Sequence, residues 1–175
     1  GIDVAWLTAV FLAAVRLGPL FVLAPVFGAV NIPVRVRVFL SLALAVTLAT
    51  QIDLQAAAIP TTAGGLIAAA MVELVIGMAF AFGLFAAFGA FLFGGRILDI
   101  QIGFGVATLI DPATRSQAPL LGTALNLLAV VVFFAVDGHH MIIRALAWSL
   151  ERLPPGSSLG ELEATAVGAQ FGVMF

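Results

Sequence analysis

The sequence contains no cysteine and no lysine, and charged side chains make up only 9% of it. Without cysteine there is no disulfide framework, no thiolate metal site and no thiol nucleophile, and redox chemistry says nothing about compartment. Soluble domains carry about 25% charged residues, so the polar side chains here are too few to cover a water-facing surface. All seven basic residues are arginine, which suits guanidinium groups held in fixed pairs and equally suits a base-composition bias in the gene. The formal net charge of −2 points to no class of partner. A Ser/His/Asp set, a phosphate-binding loop and clustered carboxylates are also missing, so no enzyme, cofactor or nucleic-acid partner is expected.

Hydrophobic residues make up 63% of the chain, and several apolar runs reach the roughly 20 residues needed to cross a hydrocarbon core of about 30 Å. Backbone polar groups cannot stay unpaired in lipid, so only helices or closed barrels span it. The period-two alternation and regular turns of a barrel are absent. The expected fold is therefore all-α: a polytopic integral membrane protein of about five helical segments, some kinked or broken, forming one domain without internal repeats.

The first segment, from about Val4 to Val30, contains Pro19 and Pro25 and is expected to bend or break. It lacks the short apolar region and cleavage pattern of a secretory signal and reads as a retained helix. Asn31-Ile32-Pro33 predicts a second helix start, with Pro33 in the first turn, running to about Thr50. The third segment, about Thr62 to Arg96, is long enough that it must tilt, bend or leave the bilayer. A fourth runs from about Leu120 to Leu150 and ends at Pro154-Pro155-Gly156, and Ser158 with Glu161 forms a capping-box signature for a fifth.

Charges within apolar segments cost a few kcal/mol or more and normally find partners. Arg16 and Glu73 are each the lone charge in the middle of a segment, with opposite sign. They predict a buried ion pair between segments one and three; pairing with another subunit or snorkelling is the alternative. On the third segment, an advance of about 100° per residue puts Ala79, Gly83, Ala86 and Ala90 in one stripe of roughly 60°. Such a ridge of small residues lets helix backbones approach closely in lipid. If the fourth helix continues through Gly138, Asn126, Asp137, His140 and Arg144 also share a stripe. Interhelical hydrogen bonding, a proton relay and a metal site all remain open for these residues. The metal reading ranks last, because His139 and His140 diverge by about 100° on a continuous helix.

The stretch Gly103 to Ile110 is too apolar for a free aqueous loop, yet it is broken by glycine and bounded by Asp111-Pro112. Irregular backbone at membrane depth is tolerated where it is buried in protein or lines a water-filled cavity. A re-entrant or pore-occluding segment fits, as does a surface turn between two spans.

Several ordered strings resemble the FliR family of flagellar type III export proteins. They are Arg16-Leu17-Gly18-Pro19, Ala24-Pro25-Val26-Phe27-Gly28, Ile32-Pro33-Val34-Arg35-Val36-Arg37, Glu73-Leu74-Val75-Ile76-Gly77, Gln101-Ile102-Gly103-Phe104-Gly105, Thr108-Leu109-Ile110-Asp111-Pro112, Pro119-Leu120-Leu121-Gly122 and Asp137-Gly138-His139-His140. The related SctT group of virulence secretion shares the layout but usually lacks the Asp-Gly-His-His string, so the flagellar branch is favoured. The resemblance implies an export-gate subunit of the flagellar basal body in the bacterial inner membrane. It implies packing with FliP-like and FliQ-like subunits, contact with an FlhB-like subunit, and passage of unfolded substrates through the enclosed pore. By the same resemblance, the family's remaining C-terminal helices are absent from this sequence, in keeping with an open end at Phe175. In this reading the loop Gly103 to Pro119 is a pore plug: Phe104, Leu109 and Ile110 give apolar closure, Gly103 and Gly105 flexibility, and Asp111-Pro112 the turn. A proton-coupled secondary transporter using Asp137 and His140 is the rival from another class.

Overall fold

The computed structural model describes residues 4–24, 32–50, 59–103 and 120–157. These residues form five α-helices and no strand: α1 Val4–Leu23, α2 Val34–Ala49, α3 Ala63–Ile102, α4 Leu120–Ala135 and α5 Gly138–Arg152. The proposed plug residues Phe104, Gly105, Leu109, Ile110, Asp111, Pro112 and Pro119 lie outside them, as does the segment expected from Ser158.

Helix α1 is the central element. Its buried residues Ala9, Leu12, Ala13, Arg16, Leu17 and Leu20 recur at three- and four-residue spacing, which lines them along one stripe. That stripe packs Leu17, Leu20 and Phe21 against Ala45 and Leu48 of α2 and Leu146 and Leu150 of α5. Pro19 lies inside α1 without ending it. At α2, Pro33 occupies the N-cap position with φ −55° and ψ 139° and Val34 is the first helical residue, one step later than expected.

Helix α3 has 40 residues, roughly 60 Å at 1.5 Å per residue. The Thr62 hydroxyl accepts from the Gly65 N–H at 3.1 Å and caps its start. It continues past Arg96, and Gly103 ends it with φ 88°, the left-handed conformation that glycine adopts at no steric cost. Gly103 thus serves as the stop of α3. Helices α1 and α3 are both long and apolar enough to cross a membrane.

The fourth segment departs most from expectation. It divides into α4 and α5, bent by 67°. Asp137 adopts the left-handed conformation, φ 56° and ψ 30°, and a Cβ on Gly138 would lie 2.4 Å from the Phe133 ring. Tight packing at Gly138 and the reversal at Asp137 end the continuous helix on which the polar stripe depended.

Two glycines set the helix spacings. A Cβ on Gly77 would sit 2.1 Å from the Arg16 carbonyl oxygen, and one on Gly95 would sit 2.3 Å from the Gly122 Cα. The α1–α3 and α3–α4 backbones therefore touch where no side chain intervenes. At Gly83 and Gly89 a Cβ would meet nothing within 4 Å. Gly77→Ala and Gly95→Ala are expected to destabilise the chain by about 1–3 kcal/mol through forced separation. Gly83→Ala and Gly89→Ala should be neutral or stabilising by up to about 1 kcal/mol from helix propensity. Unfolding of the detergent-solubilised variants checks this contrast, and equal effects at all four positions would refute it.

Candidate functional site: a buried arginine hub and a capped loop base

The middle of α1 presents Arg16 inward, fully buried at 0% exposure, toward Glu73 of α3 at 1%. Arg16 Nε donates to Glu73 Oε2 at 2.5 Å. Its Nη1 donates to the Ser149 carbonyl and hydroxyl oxygens, both at 2.9 Å, and Nη2 donates to the Leu153 carbonyl at 2.9 Å. Glu73 Oε1 in turn accepts from the Gly156 N–H at 3.2 Å. The pair therefore joins α1 and α3 to the last turn of α5 and to the turn that follows it.

This arrangement answers two needs together. A buried guanidinium requires acceptors for its forked donors, and the end of a helix leaves carbonyls without intrahelical partners. The positive charge also lies at the negative end of the α5 dipole. Pro155 and Ser157 are buried beside the pair, and Gly156 has φ 92°, which turns its N–H onto Glu73. Lone charges in apolar runs identify Arg16 and Glu73 in the sequence; Ser149, Leu153 and Gly156 carry no comparable signal, because all three act through the backbone, Ser149 through its hydroxyl as well.

A second polar site lies near the other end of α3. Asp99 is 4% exposed, and its carboxylate accepts from the Leu121 N–H at 3.1 and 3.2 Å and from the Gly122 N–H at 3.4 Å. It caps the first turn of α4, where free N–H groups and the helix dipole favour an anion. Asp99 precedes Gly103 by one turn, so its carboxylate ties the C-terminal end of α3 to the start of α4. Its partners lie 22 and 23 residues away, so no local spacing in the sequence marks Asp99.

The other site residues are placed differently from expectation. Asp137 and His140 are exposed at 71% and 58% and approach to 3.3 Å, Oδ1 to Nδ1. Arg144 is also exposed, and Asn126 on α4 is half-buried, so within this chain the four do not form a buried stripe. The reason is the α4–α5 bend. Ala79, Gly83, Ala86 and Ala90 are all exposed. Helical geometry places Glu73, Gly77, Ala81, Phe88, Gly95 and Asp99, the packed face of α3, about 120–200° around the helix from Ala79. The small-residue ridge thus faces away from the other described helices.

An apolar cavity of about 380 Å³ lies between the helices, lined by Leu20, Phe21, Leu44, Leu84, Phe133 and His139 among others. Phe133, on its wall, meets Phe88 edge to face at 5.6 Å.

Removing one partner of a buried ion pair leaves an uncompensated charge, costing about 3–5 kcal/mol. Arg16→Met is expected to destabilise by about that much in a denaturant or SDS titration, and Glu73→Gln by less, since the amide oxygen still accepts. The exchange Arg16→Glu with Glu73→Arg should not restore stability, because a carboxylate at position 16 would face the Ser149 and Leu153 carbonyls. Full rescue by the exchange would show that only the pair's mutual charge matters.

Residues 7–175 match the family described as bacterial export proteins, family 1. The chain is similar to the flagellar biosynthetic protein FliR of Escherichia coli, 31% identical over 87% of this chain and 58% of the relative. Its identity with FliR of Bacillus subtilis is 28%, over 82% of this chain and 54% of that protein. A shorter match, 29% identical over 50% of the chain and 34% of the relative, links it to the secretion system apparatus protein SsaT of Salmonella typhimurium. The chain thus spans little more than half the length of the flagellar relatives. With its all-helical fold and apolar spans, the chain belongs to the bacterial export proteins of family 1, the FliR family.

Proposed function

We propose that this chain is a packing subunit of a flagellar protein export gate in the bacterial inner membrane. The observation that carries this reading is the division of α3 into two faces in a member of the export family. One face is pinned to the chain by Arg16–Glu73, Gly77, Gly95 and Asp99. The other leaves Ala79, Gly83, Ala86 and Ala90 exposed beside Phe82, Phe85 and Phe93. Lipid supplies no hydrophobic drive for helix association, so a ridge of small residues flanked by aromatics supports docking of a partner helix through close van der Waals contact. FliP-like and FliQ-like subunits would dock there, with an FlhB-like subunit at the gate's edge.

The segment 104–119 is the proposed plug of a pore for unfolded substrates. Support comes from its two anchors: the Gly103 stop and the α4 start capped by Asp99 hold the segment's ends in place. A loop moving on a fixed base can obstruct a pore and clear it without dismantling the bundle, and apolar constrictions resist ion passage. The flagellar branch is favoured over virulence secretion because the FliR relatives match over far more of the chain than SsaT does. The transporter reading rested on a polar stripe that the bend at Asp137 interrupts.

Two experiments test this function. Deleting 104–119, with a short glycine linker, should raise ion leak in cells expressing the gate, and Asp99→Asn should raise it to a lesser degree; unchanged leak in the deletion would remove the plug role. Gly83→Phe should abolish copurification of FliP-like and FliQ-like subunits while the isolated chain keeps its helical content. Retained copurification would place the docking face elsewhere.

A further inference from the structure

The reversal between α4 and α5 gathers three side chains with metal-binding chemistry. Asp137, His139 and His140 each offer one ligand atom, and these atoms lie within 4.8 Å of one another. His139 and His140 are consecutive residues of α5, about 100° apart around its axis. They lie in its first turn, and their rings nevertheless approach with centroids 4.1 Å apart and planes inclined by 36°. The turn is strongly determined: Gly138 admits no side chain against Phe133, and Asp137 is the one non-glycine residue with positive φ among the described residues.

Two further observations point to an ion. Asp137 Oδ1 and His140 Nδ1 are 3.3 Å apart, close to the edge of about 3.4 Å between adjacent ligands in a tetrahedral site with bonds near 2.1 Å. His139 Nδ1 is buried and is the one buried side-chain nitrogen or oxygen without a hydrogen-bond partner among the described residues. Such atoms normally find partners. We propose that Asp137, His139 and His140 form a binding site for a divalent transition-metal ion of the zinc class. Imidazole with carboxylate suits zinc, nickel or copper better than the oxygen-preferring magnesium and calcium. The dipole at the start of α5 opposes a cation there, and the Asp137 carboxylate offsets it. Both Asp137 and His140 are open to solvent, so an ion can enter without unfolding the chain, and a bound ion would brace the α4–α5 bend. The site stands independently of the export reading.

The test is a Co²⁺ titration of the chain purified without a polyhistidine tag, read from the visible d–d absorption, followed by displacement with Zn²⁺. The expected result is about one ion per chain, with His140→Gln and Asp137→Asn each weakening binding about tenfold or more. His139→Gln should do the same. His140 and Asp137 are exposed, so their variants are expected to keep the fold, verified by helical circular dichroism, and His140→Gln alone decides if His139→Gln fails to fold. Zn²⁺ should also raise the melting temperature of the parent chain and not that of His140→Gln. Absence of uptake by the parent chain at micromolar Co²⁺, or uptake unchanged in His140→Gln, would overturn the proposal.

Discussion

The Arg16 guanidinium lies where no water reaches it, and the packing around it follows from what such a group requires. An arginine carries five N–H donors in a rigid planar fork, and each donor left unpaired in an apolar interior adds a desolvation penalty. Four hydrogen bonds draw acceptors from Glu73, from Ser149 twice and from Leu153. Those acceptors belong to α3 and to the end of α5, so satisfying one side chain fixes three chain segments relative to one another. The Gly156 N–H on the free carboxylate oxygen extends the constraint to the turn after α5.

The hub also accounts for the close approach of α1 and α3. Gly77 lies one turn after Glu73 and receives the Arg16 backbone carbonyl where a Cβ would stand. Any larger residue there would push the helices apart and stretch the ion pair. Near the far end of α3 the same design recurs with different chemistry: Gly95 receives the Gly122 backbone, and Asp99, one turn later, caps the helix to which Gly122 belongs. At each contact a glycine permits approach and a carboxylate about one turn away supplies the polar link. A long helix fastened at both places retains an opposite face that is exposed among the described residues, and that face carries the ridge assigned to docking. The α4–α5 bend is a separate device, set by steric exclusion at Gly138 and a left-handed Asp137. The metal-binding chemistry at that bend therefore does not depend on the hub.

The amino-acid sequence by itself determined the solvent, the helical class and the two buried charges that need partners. Those properties follow from local composition and from the cost of unpaired groups in lipid, which needs no coordinates. It also carried enough ordered strings to reveal the family. The helical repeat correctly grouped Ala79, Gly83, Ala86 and Ala90, because that grouping depends only on turn angle. Tertiary structure alone decided that this stripe points outward, since facing is a relation between helices. It decided equally that Asp99 caps α4 from more than twenty residues away, that backbone carbonyls at the end of α5 complete the arginine's shell, and that segment four bends at Asp137. Each of these rests on backbone groups or on steric exclusion between distant residues, and neither leaves a periodic trace in a single sequence.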